Sequence, residues 1–454
     1  MAKRTKKETV LTLEEKLQQA LVPVEEQPYP VPANWCWVVL GNLVSIKRGA
    51  SPRPIKSYIT EDSCGVNWIK IGDTDEGKYV DSVKEKITEA GATKSVFVEK
   101  GTLLLSNSMS FGRPYILNVD GCIHDGWLAI TPGKSFEKEY LYYALLSSKW
   151  YFERVAVGTA VRNLNSDRVA LTPVPLPSLP EQQRIVTRIE SLFVKLDEVK
   201  EKAQAVVDGY ENRKAAILHK AFTGELTAKW REENGLRIED WEHTVLKKVL
   251  DVRDGTHDSP QYYNSGYPLV TSKNLKNGRI TNKDLKFISK EDYDKINERS
   301  KVDVGDVLFA MIGTIGNPVV VNEKPNYAIK NVALLKNVGK INPYYVKYYL
   351  ESKTVKDKME REAKGSTQKF VSLGYLRDFP IITPLELEQI VVVQIIDKLI
   401  RSENEIKETA ESVLNQIDTM KKSILARAFR GELGTNDPSD EPAIELLKRV
   451  LQEE

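Results

Sequence analysis

The side chains in this sequence with the chemistry to read another molecule lie in short polar segments that mix basic, amide and hydroxyl groups. In the first half they are Arg48, Ser51 and Arg53, then Lys70, then Asn107 and Ser108, then Arg113, and last Arg162 with Asn163. In the second half they are Arg253, Thr256, His257, Ser259 and Gln261, then Lys273 with Asn274, Lys330 with Asn331, and the run Ser366, Thr367, Gln368 and Lys369. Arg and Lys can pair with guanine edges, Asn and Gln with adenine, and Ser or Thr with phosphate oxygens. The set predicts contact with double-stranded DNA, although any one segment taken alone also fits a solvated turn.

Patterns for covalent chemistry do not accompany them. The sequence has no phosphate loop of the form G-x-x-x-x-G-K-[ST], no dinucleotide G-x-G-x-x-G and no nucleophile elbow. It also lacks the Asp/Asn-Pro-Pro-aromatic signature of an amino-methyltransferase. The triplet Glu198-Val-Lys200 falls in a helical stretch, whereas a nuclease site needs clustered acids on a sheet. His124, His219, His243 and His257 have no metal-ligand spacing, and Cys36, Cys64 and Cys122 form no C-x-x-C pair. The expectation is a chain with no catalytic residues, no metal, no bound cofactor and three reduced, partly buried thiols.

The frame that must position the polar segments is duplicated. Lys214-Ala-Ala-Ile-Leu-His-Lys-Ala-Phe-Thr-Gly-Glu-Leu226 recurs as Lys421-Lys-Ser-Ile-Leu-Ala-Arg-Ala-Phe-Arg-Gly-Glu-Leu433, 207 residues on. The same offset pairs Glu181-Gln182 with Glu388-Gln389, Pro173 with Pro380 and Gly158 with Gly365. Upstream it drifts by a few residues, pairing Trp35 with Trp241, Gly49 with Gly255, Gly112 with Gly316, and Tyr140 with Tyr345. Residues 30–177 and 236–384 each carry short strand-like runs, turn residues and a late tyrosine-rich helical stretch, which reads as α+β. The segments after Gly49/Gly255 and around Gly158/Gly365 recur in both copies with changed contents. A repeated frame with divergent loops suits two readers of different targets.

After Pro180 apolar residues alternate in steps of four and three: Ile185, Ile189, Leu192, Leu196, Val199, Ala203, Val206, Tyr210 and Ile217. Val392, Ile396, Leu399, Ile406, Ala410, Val413, Ile417, Met420 and Ile424 repeat that seam, with Glu403 interrupting it. This is the a/d pattern of a coiled coil over about 40 residues, roughly 60 Å of helix. Ser178-x-x-Glu181 and Thr383-Pro-x-Glu386 predict capping boxes, and Gly224 and Gly431 stand at the predicted ends. The alternative, each helix packed on its own domain, calls for a wider apolar stripe, and the narrow seam favours one helix against the other, antiparallel. Phe193, Val391 and Ile395 on the outer faces would leave surface for another protein's helices. Leu11–Leu21 and Ala443–Leu451 predict short amphipathic helices that bind each other or a partner subunit.

Overall composition is that of a soluble globular protein, with a net charge of only +2. Residues 236–384 carry 25 basic and 19 acidic groups, about +6, a local bias toward an anionic partner. No apolar run approaches the ~18 residues of a membrane span, and no signal segment follows the basic start, which predicts a cytoplasmic protein with no membrane partner.

Pro175-Leu-Pro-Ser-Leu-Pro-Glu-Gln-Gln-Arg-Ile-Val186, the endings Ala221-Phe-Thr-Gly-Glu-Leu226 and Ala428-Phe-Arg-Gly-Glu-Leu433, and Arg253-Asp-Gly-Thr-His-Asp-Ser-Pro260 together resemble the specificity subunit of type I restriction–modification enzymes. The resemblance spans about residues 30–434. It implies an α+β fold with two duplicated target recognition domains, separated by two long helices that form an antiparallel coiled coil. The corresponding division is an extension at 1–29, recognition domains at 30–177 and 236–382, spacer helices at 178–227 and 383–434, a linker at 228–235 and a tail at 435–454. It further implies a noncatalytic chain that reads a bipartite DNA site. Two modification subunits would bind S-adenosylmethionine and methylate adenine. Two restriction subunits would use ATP and Mg. The second copy departs from the pattern: Glu388-Gln389-Ile-Val-Val-Val393 lacks the counterpart of Arg184.

Overall fold

The computed structural model describes residues 11–108, 111–156, 164–313, 315–365 and 369–453. Contacts divide the chain into two units, residues 1–201 with 414–454, and residues 202–413. In the first unit a five-stranded sheet has the order Val44–Arg48, Trp127–Pro132, Leu103–Ser106, Pro114–Leu117 and Tyr79–Val80. Its centre is the run Leu103-Leu-Leu105, all fully buried. Side chains alternate across a strand, so Leu103 and Leu105 join the core beneath helix Lys138–Ser147, while Leu104 joins the opposite cluster with Ile69, Ile123 and Trp127. A strand covered on both faces has no polar side, which is why the sequence shows a continuous apolar run there. The opposite cluster is shared with a second sheet, ordered Ile59–Thr60, Lys86–Ile87, Val66–Ile69, Gly121–Ile123 and Val96–Val98.

The second unit repeats this topology. Leu250–Asp254, Val332–Asn337, Val307–Ala310 and Gly316–Val320 form a four-stranded sheet in that order. Val307 and Phe309 face one core, and Leu308 and Ala310 the other. A three-stranded sheet, Lys286–Ile288, Tyr267–Thr271 and Ala328–Lys330, matches the middle of the first unit's second sheet. Both keep one parallel pair, with Trp68 opposite Cys122 in one unit and Val270 opposite Ile329 in the other. The duplication is thus one of strand order and direction as well as of sequence.

Leu179–Asp208 and Tyr210–Phe222 form the first long helix in two pieces that meet at Gly209, and Glu386–Ala428 forms the second without a break. Glycine costs about 1 kcal/mol against alanine inside a helix, and the matching position in the second copy is Gln416. Where the helices lie together, residue numbers rise on one as they fall on the other. Asp197 pairs with Lys421 at 2.6 Å in the first unit, and Arg213 pairs with Glu403 at 2.6 Å in the second. The two helices are therefore an antiparallel coiled coil.

Several expectations about these helices need correction. Ser178 does accept a hydrogen bond from the Glu181 N–H at 3.3 Å. Thr383 ends strand Pro380–Thr383, however, and its hydroxyl donates to the Glu242 carbonyl at 3.3 Å, so it is no helix cap. Ile185, Ile189, Ala203, Val392, Ile396, Ala410 and Ile417 of the seam are buried, but Val199, Ile406 and Met420 are exposed. Leu192, Leu196, Val199, Met420 and Ile424 line an open apolar groove of about 340 Å³. Phe193 is not a free outer side chain, since its ring packs edge-on against Tyr143 with centroids 6.0 Å apart.

The Glu-Gln pair that opens each helix is part of the scaffold. In the second unit the buried Glu388 accepts from Thr227 Oγ1 at 2.7 Å, Arg231 at 2.6 Å and Trp241 Nε1 at 2.9 Å. In the first unit the buried Glu181 accepts from Thr435 Oγ1 at 2.7 Å and from Arg184 at 2.7 Å. Each glutamate thus locks the start of one long helix to the Gly-Glu-Leu turn that closes the other. Arg231, from the connection after the first helix, takes the place left by the missing counterpart of Arg184. Gln182 donates to Pro177 O at 3.1 Å and Gln389 donates to Pro384 O at 2.9 Å.

The terminal segments form helices Leu13–Ala20 and Ala443–Glu453, which pack together in the first unit, with Lys16 Nζ donating to Leu451 O at 3.0 Å. Among the three free cysteines, Cys122 is buried, Cys36 half-buried and Cys64 exposed, so the expectation of burial fails for Cys64. No helix among the described residues is long and apolar enough to cross a membrane.

Candidate nucleic-acid interface

Strand Val44–Arg48 leaves its sheet at Gly49, where the Gly49 N–H donates to Trp127 O at 2.9 Å and the Ala50 N–H to Ile123 O at 3.2 Å. A Cβ on Gly49 would lie 2.2 Å from His124 O. Only glycine lets the chain pass this close to the crossover His124-Asp125-Gly126, which links the second sheet to the first. The second unit builds the same junction. The Gly255 N–H donates to Val332 O at 2.9 Å and the Thr256 N–H to Ile329 O at 3.0 Å. A Cβ on Gly255 would lie 2.4 Å from Ile329 O, beside Lys330 and the crossover at Asn331.

In the first unit the junction gathers predicted residues around Asp125. Its carboxylate accepts from Ser51 Oγ at 2.7 Å and from His124 Nε2 at 2.9 Å, and Arg53 lies 3.8 Å away. Its backbone carbonyl accepts from Arg48 Nε at 3.2 Å and Asn107 Nδ2 at 2.9 Å. His124 Nδ1 accepts the Gly126 N–H at 2.9 Å, which leaves Nε2 to carry the proton toward Asp125. Burial pushes the Asp125 carboxyl up. The Ser51 hydroxyl, His124, the local backbone N–H and Arg48 more than offset this and hold it below the usual carboxylate range. Arg53 is the outward group, its side chain 84% exposed. Asn107 is buried, so its amide braces the crossover instead of facing outward.

In the second unit the centre is Asp254, buried at the end of strand Leu250–Asp254. Its carboxylate meets Arg299 and takes His257 Nε2 at 2.9 Å, and its carbonyl accepts from Ser300 Oγ at 2.8 Å. His257 Nδ1 faces Asn331 Oδ1 at 2.8 Å. Hydrogen bonds to Asn331 and Asp254 hold the imidazole above its ordinary value, so it favours the cationic form. Lys330 is nearly buried and donates to Ser259 Oγ at 2.6 Å, and Thr256 bridges to Lys330 through the backbone. Ser272 Oγ donates to the Asn331 carbonyl at 2.9 Å, which brings the loop carrying Lys273 alongside.

Most of the remaining predicted residues lie outside these two clusters, but Arg253 donates to the Arg299 carbonyl at 3.1 Å, at the edge of the second. Lys70 pairs with Glu85. Arg113 reaches the Glu76 carbonyl and Gly77 O, the latter at 3.2 Å, and covers the Tyr115 ring. Arg253 donates to Asp251 at 2.8 Å. Asn274 is buried, with its Oδ1 accepting from the Thr271 N–H at 3.0 Å and its Nδ2 donating to Lys283 O at 3.1 Å, so it shapes a turn. Lys369 donates to Glu360 O at 3.3 Å. Ser108 is half-buried and Gln261 exposed. Arg162, Asn163, Ser366, Thr367 and Gln368 lie outside the described residues. The cluster members missed from sequence include His124, Asp125, Asp254, Arg299 and Ser300. Asp254 sits inside the Arg253–Pro260 motif and was legible there. The others come from segments distant in sequence, with no periodicity to mark them.

No group of three or more His, Cys, Asp or Glu able to hold a metal ion occurs among the described residues. The arrangement is a pair of polar, partly cationic loop junctions, each at the end of an edge strand of a main sheet, suited to binding.

Comparison with known proteins finds relatives that match most of the chain. Residues 32–207 and 238–416 match the family described as "Type I restriction modification DNA specificity domain". The Escherichia coli type I restriction enzyme EcoBI specificity subunit is 27% identical over 345 residues, covering 70% of this chain and 72% of the relative. The EcoKI specificity subunit of Escherichia coli is 23% identical over 390 residues, 81% of this chain and 80% of the relative. The crystal structure of the HsdS subunit from Thermoanaerobacter tengcongensis shares the fold, with a TM-score of 0.65, 19% identity, and coverage of 90% of this chain and 100% of that one.

Proposed function

The chain belongs to the type I restriction–modification DNA specificity family, and from that premise we propose that its two domains read the two halves of one split double-stranded DNA site. The observation that carries this reading is the repeated junction. Gly49 and Gly255 make the same backbone bonds in both units, while the side chains presented there differ. A shared frame with different contents gives two readers of unlike sequences. Arg48, Ser51 and Arg53 serve one half-site, and Thr256, His257, Ser259 and Lys330 the other.

The long helices set the gap between the half-sites and carry two modification subunits. Exposed apolar side chains support that docking: Val194, Val199 and Met420 in the first unit, and Leu385, Leu387, Ile390 and Ile406 in the second. The modification subunits supply S-adenosylmethionine and adenine methylation. Two restriction subunits supply ATP- and Mg-dependent work, and this chain supplies recognition alone.

The test is a methylome. The chain is expressed with its modification subunit, and methyladenine is mapped by long-read sequencing. A split motif with a fixed gap is expected. Exchanging one domain should change one half of the motif and leave the other. Adding seven residues to each helix should widen the gap by about 3 base pairs, since seven residues rise about 10 Å and base pairs about 3.4 Å. Exchange of one domain altering both halves would sink the idea of separable readers.

A further inference from the structure

Asp125 and Asn331 occupy one position in the duplicated frame. Each is the last side chain of the crossover that links the parallel strand pair back to the main sheet, apart from Gly126 in the first copy. Each faces the residue two places after the junction glycine: Ser51 after Gly49, and His257 after Gly255. Each has its own carbonyl pinned, Asp125 by Arg48 and Asn107, Asn331 by Ser272. Asn331 takes a φ of 55°, which asparagine tolerates better than most residues and which tightens the one-residue crossover. Both side chains are half-buried and held by one oxygen, Oδ1 in each case. The second polar atom differs. In Asp125 it is Oδ2, an acceptor, 3.8 Å from Arg53. In Asn331 it is the amide Nδ2, a donor with no hydrogen-bond partner among the described residues.

We propose that Asp125 and Asn331 are equivalent specificity-determining residues, Asp125 selecting a base that offers an amino group, in preference cytosine, and Asn331 selecting adenine, at one position of each half-site. The inference rests on the reading of these junctions as DNA-facing and adds which residues choose the base. A carboxylate only accepts, so it pairs with the cytosine N4 amino group and is repelled by the bare acceptors of guanine. A carboxamide both donates and accepts: with one Oδ1 lone pair taken by His257, the second lone pair and Nδ2 still match adenine N6 and N7 together. Because Oδ1 is already anchored in both residues, the side chain enters the groove in a fixed orientation and loses little freedom on binding. The neighbouring Arg53 and His257 supply positive charge for the backbone without reading it.

The experiment is Asn331→Asp in the chain assembled with its modification subunit, mapped by the same methylome and by titration with duplexes varied at each position of the half-site. The substitution is isosteric and keeps the oxygen that meets His257. The expected result is a motif altered at a single base pair of one half, with adenine there disfavoured by about tenfold or more and cytosine gained. The reciprocal Asp125→Asn should move one position of the other half toward adenine, which keeps the test alive if either variant folds poorly. An unchanged split motif in both variants would overturn the inference and leave the proposed function standing. A uniform loss of affinity across all sequences with a shallower salt dependence would also overturn it, by making the residue a backbone contact. A native chain that yields no split motif would instead overturn the reading beneath it.

Discussion

Replacing Glu388 by glutamine should destabilise the second unit far more than Glu181→Gln destabilises the first, although the two glutamates match in sequence. Glu388 and Arg231 are 1% and 8% exposed, and the carboxylate accepts from three donors. Glutamine keeps the shape but removes the charge. Arg231 is then left in the interior with neutral acceptors alone, namely the glutamine oxygen, Thr227 Oγ1 at 2.8 Å and Gly224 O at 2.5 Å. Breaking one side of a buried ion pair costs about 3–5 kcal/mol, since the remaining charge is neither solvated nor paired. For a unit of this size that lowers its melting temperature by roughly 6–20 °C. Arg184, the partner of Glu181, is 38% exposed and also pairs with Asp440, so Glu181→Gln should cost less than about 2 kcal/mol. Calorimetry or denaturant unfolding with a probe in each unit separates the two. A double cycle with Arg231→Met should return much of the loss, because removing both charges removes the orphan. A cost for Glu388→Gln under about 1 kcal/mol, or equal costs at the two sites, would refute the argument from burial.

Gly255→Ala should weaken recognition of one half-site with little effect on the other, because its Cβ would meet Ile329 O at 2.4 Å and push the crossover away; half-site titrations read this directly. His257 should make one half-site pH-dependent. Its value is raised above the ordinary 6.5, so the contribution of the charged ring is complete below 6.5 and is lost as pH rises through the raised value. Affinity for that half should fall over this range, and His257→Gln should flatten the profile; a native profile that is already flat would exclude the charge. Removing residues 435–454 should lower the unfolding transition of the first unit and leave the second in place, since Ala443, Leu447 and Leu451 belong to the first unit's core. Coincident loss of both transitions would count against that assignment.

Much of the fold was legible because it repeats physical constraints. The four-three spacing from Ile185 onward exposed the paired helices, and short strand-like runs such as Leu103-Leu-Leu105 pointed to the α+β class, while the coverage of that strand on both faces came from the structure. The break at Gly209 and the exposure of Val199, Ile406 and Met420 were not legible, because a seam predicts which face is apolar and not how closely the partner covers it. The site was legible only in part. Arg48, Ser51, Arg53, Thr256, His257, Ser259, Lys330 and Asn331 do converge, two clusters from scattered segments. Asn107 and Asn274, chosen for their amides, proved to be buried braces.

The sequence by itself determined the duplication, the α+β class, the helical pairing and the family, since these follow from periodicity and from motifs whose residues are close in the chain. Only the tertiary structure decided that Arg231 replaces the missing partner of Glu388, and that Asp125 and Asn331 stand at one position. Those relations join residues tens to more than a hundred positions apart. They are set by which backbone groups the sheets leave to be satisfied at a crossover and by which buried charge must find a partner. Neither demand leaves a local pattern in the chain.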